Sequence, residues 1–87
     1  MHIRYTAKAQ KELRKIGPAA STIVSKIEQY AADPASLQNN TKALKGSDAF
    51  RLRVGDYRVL FTVSQDGTLT IMTVIAIRHR KDAYDRP

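Results

Sequence analysis

From Phe50 to Val54 the side chains alternate between apolar and cationic, Phe50, Leu52 and Val54 in one phase and Arg51 and Arg53 in the other, until Gly55-Asp56 interrupts them. Period two is the mark of a strand with one face in a core and one in water, and Gly-Asp suits a two-residue hairpin turn. A second strand, Tyr57 to Val63, therefore folds back on the first. Pairing Val54 with Tyr57 sets Arg53 directly across from Arg58, so Arg51, Arg53 and Arg58 share one face and the apolar residues the other. With 87 residues the chain has room for one modest core, which makes 1–87 a single domain.

Before this hairpin the period is helical. His2 to Tyr5 is a short β-leaning stretch, and Thr6 can N-cap a helix through "AKAQKELRKI", where Ala9, Leu13 and Ile16 face the core. Lys8, Lys11, Glu12 and Lys15 are expected in water. Gly17-Pro18 ends that helix; Pro18 fits the first turn of the next, whose stripe is Ala20, Ile23, Ile27 and Tyr30. The segment "DPASLQNNTKALKGSD" is rich in turn formers and reads as a loop with one helical turn near Leu44.

After the hairpin, "SQDGT" turns the chain into "LTIMTVIAIR", a long β-branched run expected as a central strand. A three-residue loop at Gln65, Asp66 and Gly67 would put Ser64 opposite Thr68 and bring Arg78 to the face of Arg58. A two-residue Asp-Gly turn would send Arg78 to the other face.

Charge narrows the function. Fifteen Lys and Arg against eight Asp and Glu give a net charge of +7, which attracts polyanions or an acidic protein. The absence of cysteine removes disulfides, a thiolate nucleophile and sulfur-ligated zinc, and suits a reducing cytoplasm. No apolar run approaches the length of a membrane span and no signal-like segment opens the chain, so neither membrane insertion nor secretion is expected. No metal-ligand spacing or phosphate-loop motif stands out, and no metal or cofactor is expected.

Like charges directly opposite on a sheet repel, and guanidinium cannot shed its proton. The natural missing partner is an anion, and the planar fork of arginine matches phosphate oxygens. Outward arginines that merely keep a sheet soluble are the plainer explanation, and the tail "IRHRKDAY" weighs against it. There His79, an imidazole, and Tyr84, a phenol close in sequence to cations, follow the strand that carries Arg78. Metal-independent RNA cleavage needs a base for the 2′-OH, cations for the phosphorane and an acid for the 5′-oxygen, and these residue types can supply them. Tyr84 can equally stack on a base or pack on the sheet.

The opening "AKAQKELRKI", the segment "KALKGSDAFRLRVGDYRVLFTV" and the closing "IRHRKDAYDR" stand in the order and spacing of the RelE/ParE superfamily of toxins. Over nearly its whole length the chain resembles the RelE-like messenger-RNA interferase branch. The resemblance implies an α+β fold, two N-terminal antiparallel helices packed on a small, mostly antiparallel sheet in the order β-α-α-β-β-β. It implies a ribosome-dependent endoribonuclease acting in the A site, with Tyr84 as general base, Arg58 and Arg78 at the phosphate, and Arg51, Arg53, Arg80, Lys45 and Lys81 as further RNA-binding cations. His79 is the candidate general acid, a water held by Arg78 the other, because arginines stand at 51 and 53 where RelE-like enzymes often carry lysines. The partners implied are an acidic antitoxin, the ribosome and messenger RNA. A ParE-like inhibitor of DNA gyrase and a noncatalytic RNA- or ribosome-binding module are the alternatives.

Overall fold

A computed structural model describes residues 1–81. Strand β1 (His2–Tyr5) leads into helix α1 (Ala7–Ile16), a 3-10 turn (Gly17–Ala19) and helix α2 (Ala20–Ala32). A second 3-10 segment (Pro34–Asn40) precedes β2 (Thr41–Ala43), β3 (Phe50–Val54), β4 (Tyr57–Asp66) and β5 (Leu69–His79). Thr6 is the N-cap of α1, its hydroxyl accepting from the Ala9 N–H at 3.1 Å. Gly17 ends the helix at φ 75°, a conformation that glycine adopts without strain, and the 3-10 turn carrying Pro18 passes straight into α2.

The strands form one five-stranded sheet in the order β1-β5-β4-β3-β2, parallel only between β1 and β5. The expected α+β architecture is therefore present, with one strand more than expected. Residues 41–43, read as loop, pair antiparallel with β3, Thr41 opposite Leu52 and Ala43 opposite Phe50. Three residues are too few to show a period, so this strand exists through its partner rather than its own pattern. The helical turn expected near Leu44 is instead a β-turn, with Ser47 N–H donating to the Leu44 carbonyl, and the helical geometry lies earlier, at 34–40.

Helices α1 and α2 cover one face of the sheet. Ala9, Ile23, Ile27 and Ala31 meet Leu52, Val54, Val59, Phe61, Met72, Val74 and Ile77 in one core. Phe61 is fully buried between Tyr30 (ring centroids 5.0 Å) and Phe50 (5.5 Å). The opposite sheet face has neither helix over it. Among the described residues no helix is long and apolar enough to cross a membrane.

The β4–β5 hairpin departs from the expected register and arrives at the expected facing. Asp66 pairs with Leu69 around a two-residue Gly67-Thr68 turn, so neither the three-residue loop nor an Asp-Gly turn forms. That turn alone would place Arg78 on the core side. The register shifts between Leu60 and Phe61, where Phe61 pairs with Val74 but Leu60 with Ala76, leaving Ile75 as an extra residue. This β-bulge restores Arg58 to a position opposite Arg78.

Past the end of β1, α1 serves the backbone of β5. The Thr6 hydroxyl donates to the Ile75 carbonyl (2.9 Å), and the Glu12 carboxylate accepts from the Ile77 N–H (2.8 Å). Glu12 is thus half-buried and bonded to the sheet, not a solvent-facing charge as its helical position suggested.

Candidate functional site

The uncovered face carries a transverse row of three guanidinium groups. Arg53 stands opposite Arg58, and Arg58 opposite Arg78, across three neighbouring strands. One step further from the Gly55-Asp56 turn, Arg51 faces Leu60 on one side and Lys42 on the other. Lys42 was missed from the sequence, because only the pairing of β2 assigns it to this face. Around the row the face holds apolar or neutral side chains, Leu60, Ala76 and Thr62 among them, so the cations share one floor.

No carboxylate among the described residues pairs with them. Among the described residues the one ion pair joins Arg80 to Asp56 at 3.8 Å, between exposed side chains at the turn, where such pairs contribute little. Arg51 is half-buried, and its Nε has no exposed surface and no acceptor among the described residues. Crowded like charges and an unused donor are features that an anion bringing its own acceptors would satisfy.

The remaining expected residues distribute as follows. Arg80 follows the last residue of β5, its N–H bonded to the Asp56 carbonyl of the β3–β4 turn at 2.7 Å, and the exposed Lys81 comes next. Lys45 is exposed in the β2–β3 connection, at the opposite end of β3 from the row. His79 is not with the arginines. It pairs with Tyr57 on the helix side of the sheet, the two rings meeting edge to face at 5.1 Å, beside a cleft of about 370 Å³ that Glu12, Lys15 and Ile16 also line. One residue along a strand reverses the face, and His79 is one residue from Arg78. Tyr84 lies outside the described residues.

The other tyrosines are not alternatives to it. Tyr5, on β1, has its pKa raised by burial and then by the nearby Glu28 carboxylate, and burial alone raises that of Tyr30. Both pack with the core, as does Tyr57, so none of the three faces the arginine row. Nor do three His, Asp or Glu side chains gather among the described residues where a metal ion could be held.

The model of the ParE toxin family of type II toxin-antitoxin systems, parDE, matches residues 3–84. Among solved structures, the YoeB/ParE toxin from Agrobacterium tumefaciens is similar with a TM-score of 0.72 at 20% identity, over 91% of this chain and 98% of that one. The toxin–antitoxin complex RelBE2 from Mycobacterium tuberculosis matches at a TM-score of 0.63 and 25% identity, over 91% and 96%. The RelB-RelE antitoxin-toxin complex from Methanococcus jannaschii matches at 0.67 and 24%, over 97% and 98%. Comparison with curated proteins found no match.

Proposed function

The chain belongs to the ParE/RelE toxin family of type II toxin–antitoxin systems, and from that premise we propose that it is a ribosome-dependent endoribonuclease that cuts messenger RNA in the A site. The observation that carries this reading is the Arg53–Arg58–Arg78 row on a face with no acidic partner among the described residues. Three guanidinium groups across adjacent strands offer forked donors to consecutive phosphates and to the charge that builds on a phosphorane.

In the proposed reaction Tyr84, which follows Arg80 and Lys81 closely in the sequence, takes the 2′-OH proton as phenolate. The 2′-oxygen then attacks the adjacent phosphorus, with Arg58 and Arg78 holding the non-bridging oxygens. The bond from phosphorus to the 5′-oxygen breaks, and that oxygen takes a proton from water held by Arg78. Products are a 2′,3′-cyclic phosphate and a 5′-hydroxyl. His79 has no part in this chemistry, because its ring stands on the other side of the sheet. Arg51, Arg53 and Lys42 hold the strand, and Arg80, Lys81 and Lys45 extend the positive field around it.

As a toxin of such a pair the protein has an antitoxin for its partner, as the RelB-bound relatives do. An acidic antitoxin complements the charge of +7 and would be steered onto the arginine face.

Inhibition of DNA gyrase is the second reading, favoured by the match to the ParE family model. Purified ribosomes with a messenger programmed in the A site separate the two. Discrete cuts by the wild type, lost in Arg58→Ala and in Tyr84→Phe, support the nuclease; no cuts together with inhibited supercoiling would replace it with the gyrase reading.

A further inference from the structure

The uncovered face continues beyond the arginine row to the edge strand β1. Ile3 and Tyr5 pack against the core, so alternation turns His2 and Arg4 to the other face, where both are exposed. Arg4 stands opposite Thr73, and Thr73 opposite Thr62; His2 stands opposite Ile71, and Ile71 opposite Ser64. The surplus residue of the bulge belongs to β5, so β4 keeps its alternation and Thr62 shares the face of Arg58, about 13 Å further along the strand. Strand spacing then puts the Arg4 Cα about 14 Å from that of Arg78 and about 16 Å from that of Arg58.

Between these cations the floor is neutral. Leu60 opposite Ala76 and Thr62 opposite Thr73 are its successive cross-strand pairs. The one ion pair among the described residues joins Arg80 to Asp56, so Arg4, like the row, has no carboxylate partner there. Along β4 the first acid in the phase of Arg58 is Asp66, opposite Leu69 at the hairpin tip and past the level of Arg4. The face thus runs from a cationic row, over a neutral strip, to one separate guanidinium, and turns acidic only after it.

Side chains stand roughly perpendicular to a sheet, so guanidinium groups this far apart hold different phosphates. A strand gripped at both places must cross the strip, with its bases against aliphatic and hydroxyl-bearing side chains. Single-strand binders join a cationic path for the backbone to a floor for the bases, and because no residue of this floor is aromatic, most of the grip falls to the phosphate contacts.

We propose that Arg4 is the far anchor of a single-stranded RNA track. The strand held at its scissile phosphate by Arg58 and Arg78 continues over Leu60, Ala76, Thr62 and Thr73, and Arg4 fixes a second phosphate before Asp66 repels the chain. The choice of RNA rests on the nuclease reading.

Two labelled oligoribonucleotides, a trinucleotide and an octanucleotide, test the track by fluorescence anisotropy with the full-length protein. Arg4→Gln should weaken octanucleotide binding about fivefold and flatten its salt slope by about 0.7, while trinucleotide binding stays within about twofold. Arg4→Lys, which keeps the charge, should restore most of the octanucleotide affinity, and Arg58→Gln should weaken both lengths. On programmed ribosomes Arg4→Gln should raise KM and leave kcat within about twofold, because the contact lies away from the scissile phosphate. Wild-type binding of the octanucleotide by Arg4→Gln, alongside a loss in Arg58→Gln, would overturn the anchor and leave the nuclease reading standing. Equal weakening of both lengths by Arg4→Gln would overturn it as a general effect of charge. A wild type that binds both lengths and cuts no messenger would end the nuclease reading, while the length dependence would still decide the anchor.

Discussion

If the arginine row grips a ribonucleotide strand, removing it should alter how binding responds to salt as well as how tight binding is. Each phosphate neutralised on a single strand contributes about −0.7 to the slope of log K against log salt, because a condensed counterion is released. Arg53, Arg58 and Arg78 stand on adjacent strands and can each reach a phosphate, so converting all three to glutamine should flatten the slope by about 2 units. Between 50 and 200 mM salt, the wild type should then lose roughly 18-fold more affinity than the triple variant. Glutamine keeps much of the length and polarity of arginine, and the row repels itself, so stability should stay within about 0.5 kcal/mol or rise slightly. The assay is fluorescence anisotropy of a short labelled oligoribonucleotide across that range. Arg14→Gln, an exposed change on α1 and so on the covered side of the sheet, serves as the matched control and should leave the slope nearly as it was. If the triple variant and the control give parallel lines, the row makes no phosphate contacts and its charges serve only solubility.

Three further outcomes follow from the packing. Phe61→Ala opens a cavity between Tyr30 and Phe50 and should cost about 3–5 kcal/mol in urea unfolding, with the denaturant slope unchanged. Glu12→Ala leaves the N–H of buried Ile77 without its acceptor and should cost about 1–3 kcal/mol, whereas Lys11→Ala, exposed on the same helix, should fall within about 0.5 kcal/mol. Tyr5 and Tyr30 have folded pKa values above the unfolded value of about 10, so the unfolded chain loses these protons first; their stabilisation is complete below pH 10 and is lost as pH rises through the folded values. Thermal melts between pH 9 and 11.5 should therefore fall less steeply for Tyr5→Phe than for wild type, and identical curves would contradict the shift.

Period and caps made most of the fold legible. The change from helical to alternating spacing, the Thr6 cap, the Gly55-Asp56 turn and the pairing of Arg53 with Arg58 are all local consequences of adjacent residues, and all are present. What escaped depends on distant partners. Strand β2 is defined by β3, Lys42 gains its face from that pairing, and Glu12 acquires its role from a backbone N–H 65 positions away. Arg78 reached the expected face by a different route, an odd hairpin register corrected by one extra residue, which alternation in the sequence could not reveal. His79 shows the opposite limit. Nearness to Arg78 in the chain suggested nearness in the site, but successive residues of a strand face opposite ways.

The bulge at Ile75 has a mechanical corollary. A surplus residue in a ladder can in principle migrate, and each step past a neighbour would exchange an outward side chain for an inward one. Here a move of a few positions would trade Arg78 for Ile77, driving a guanidinium into oil. Thr6 grips the carbonyl of the surplus residue itself and Glu12 the N–H two positions on, so the start of α1 acts as a pawl on the reverse of the sheet. The facing of the arginine row on one surface is thereby indexed from behind it, by two residues on the other.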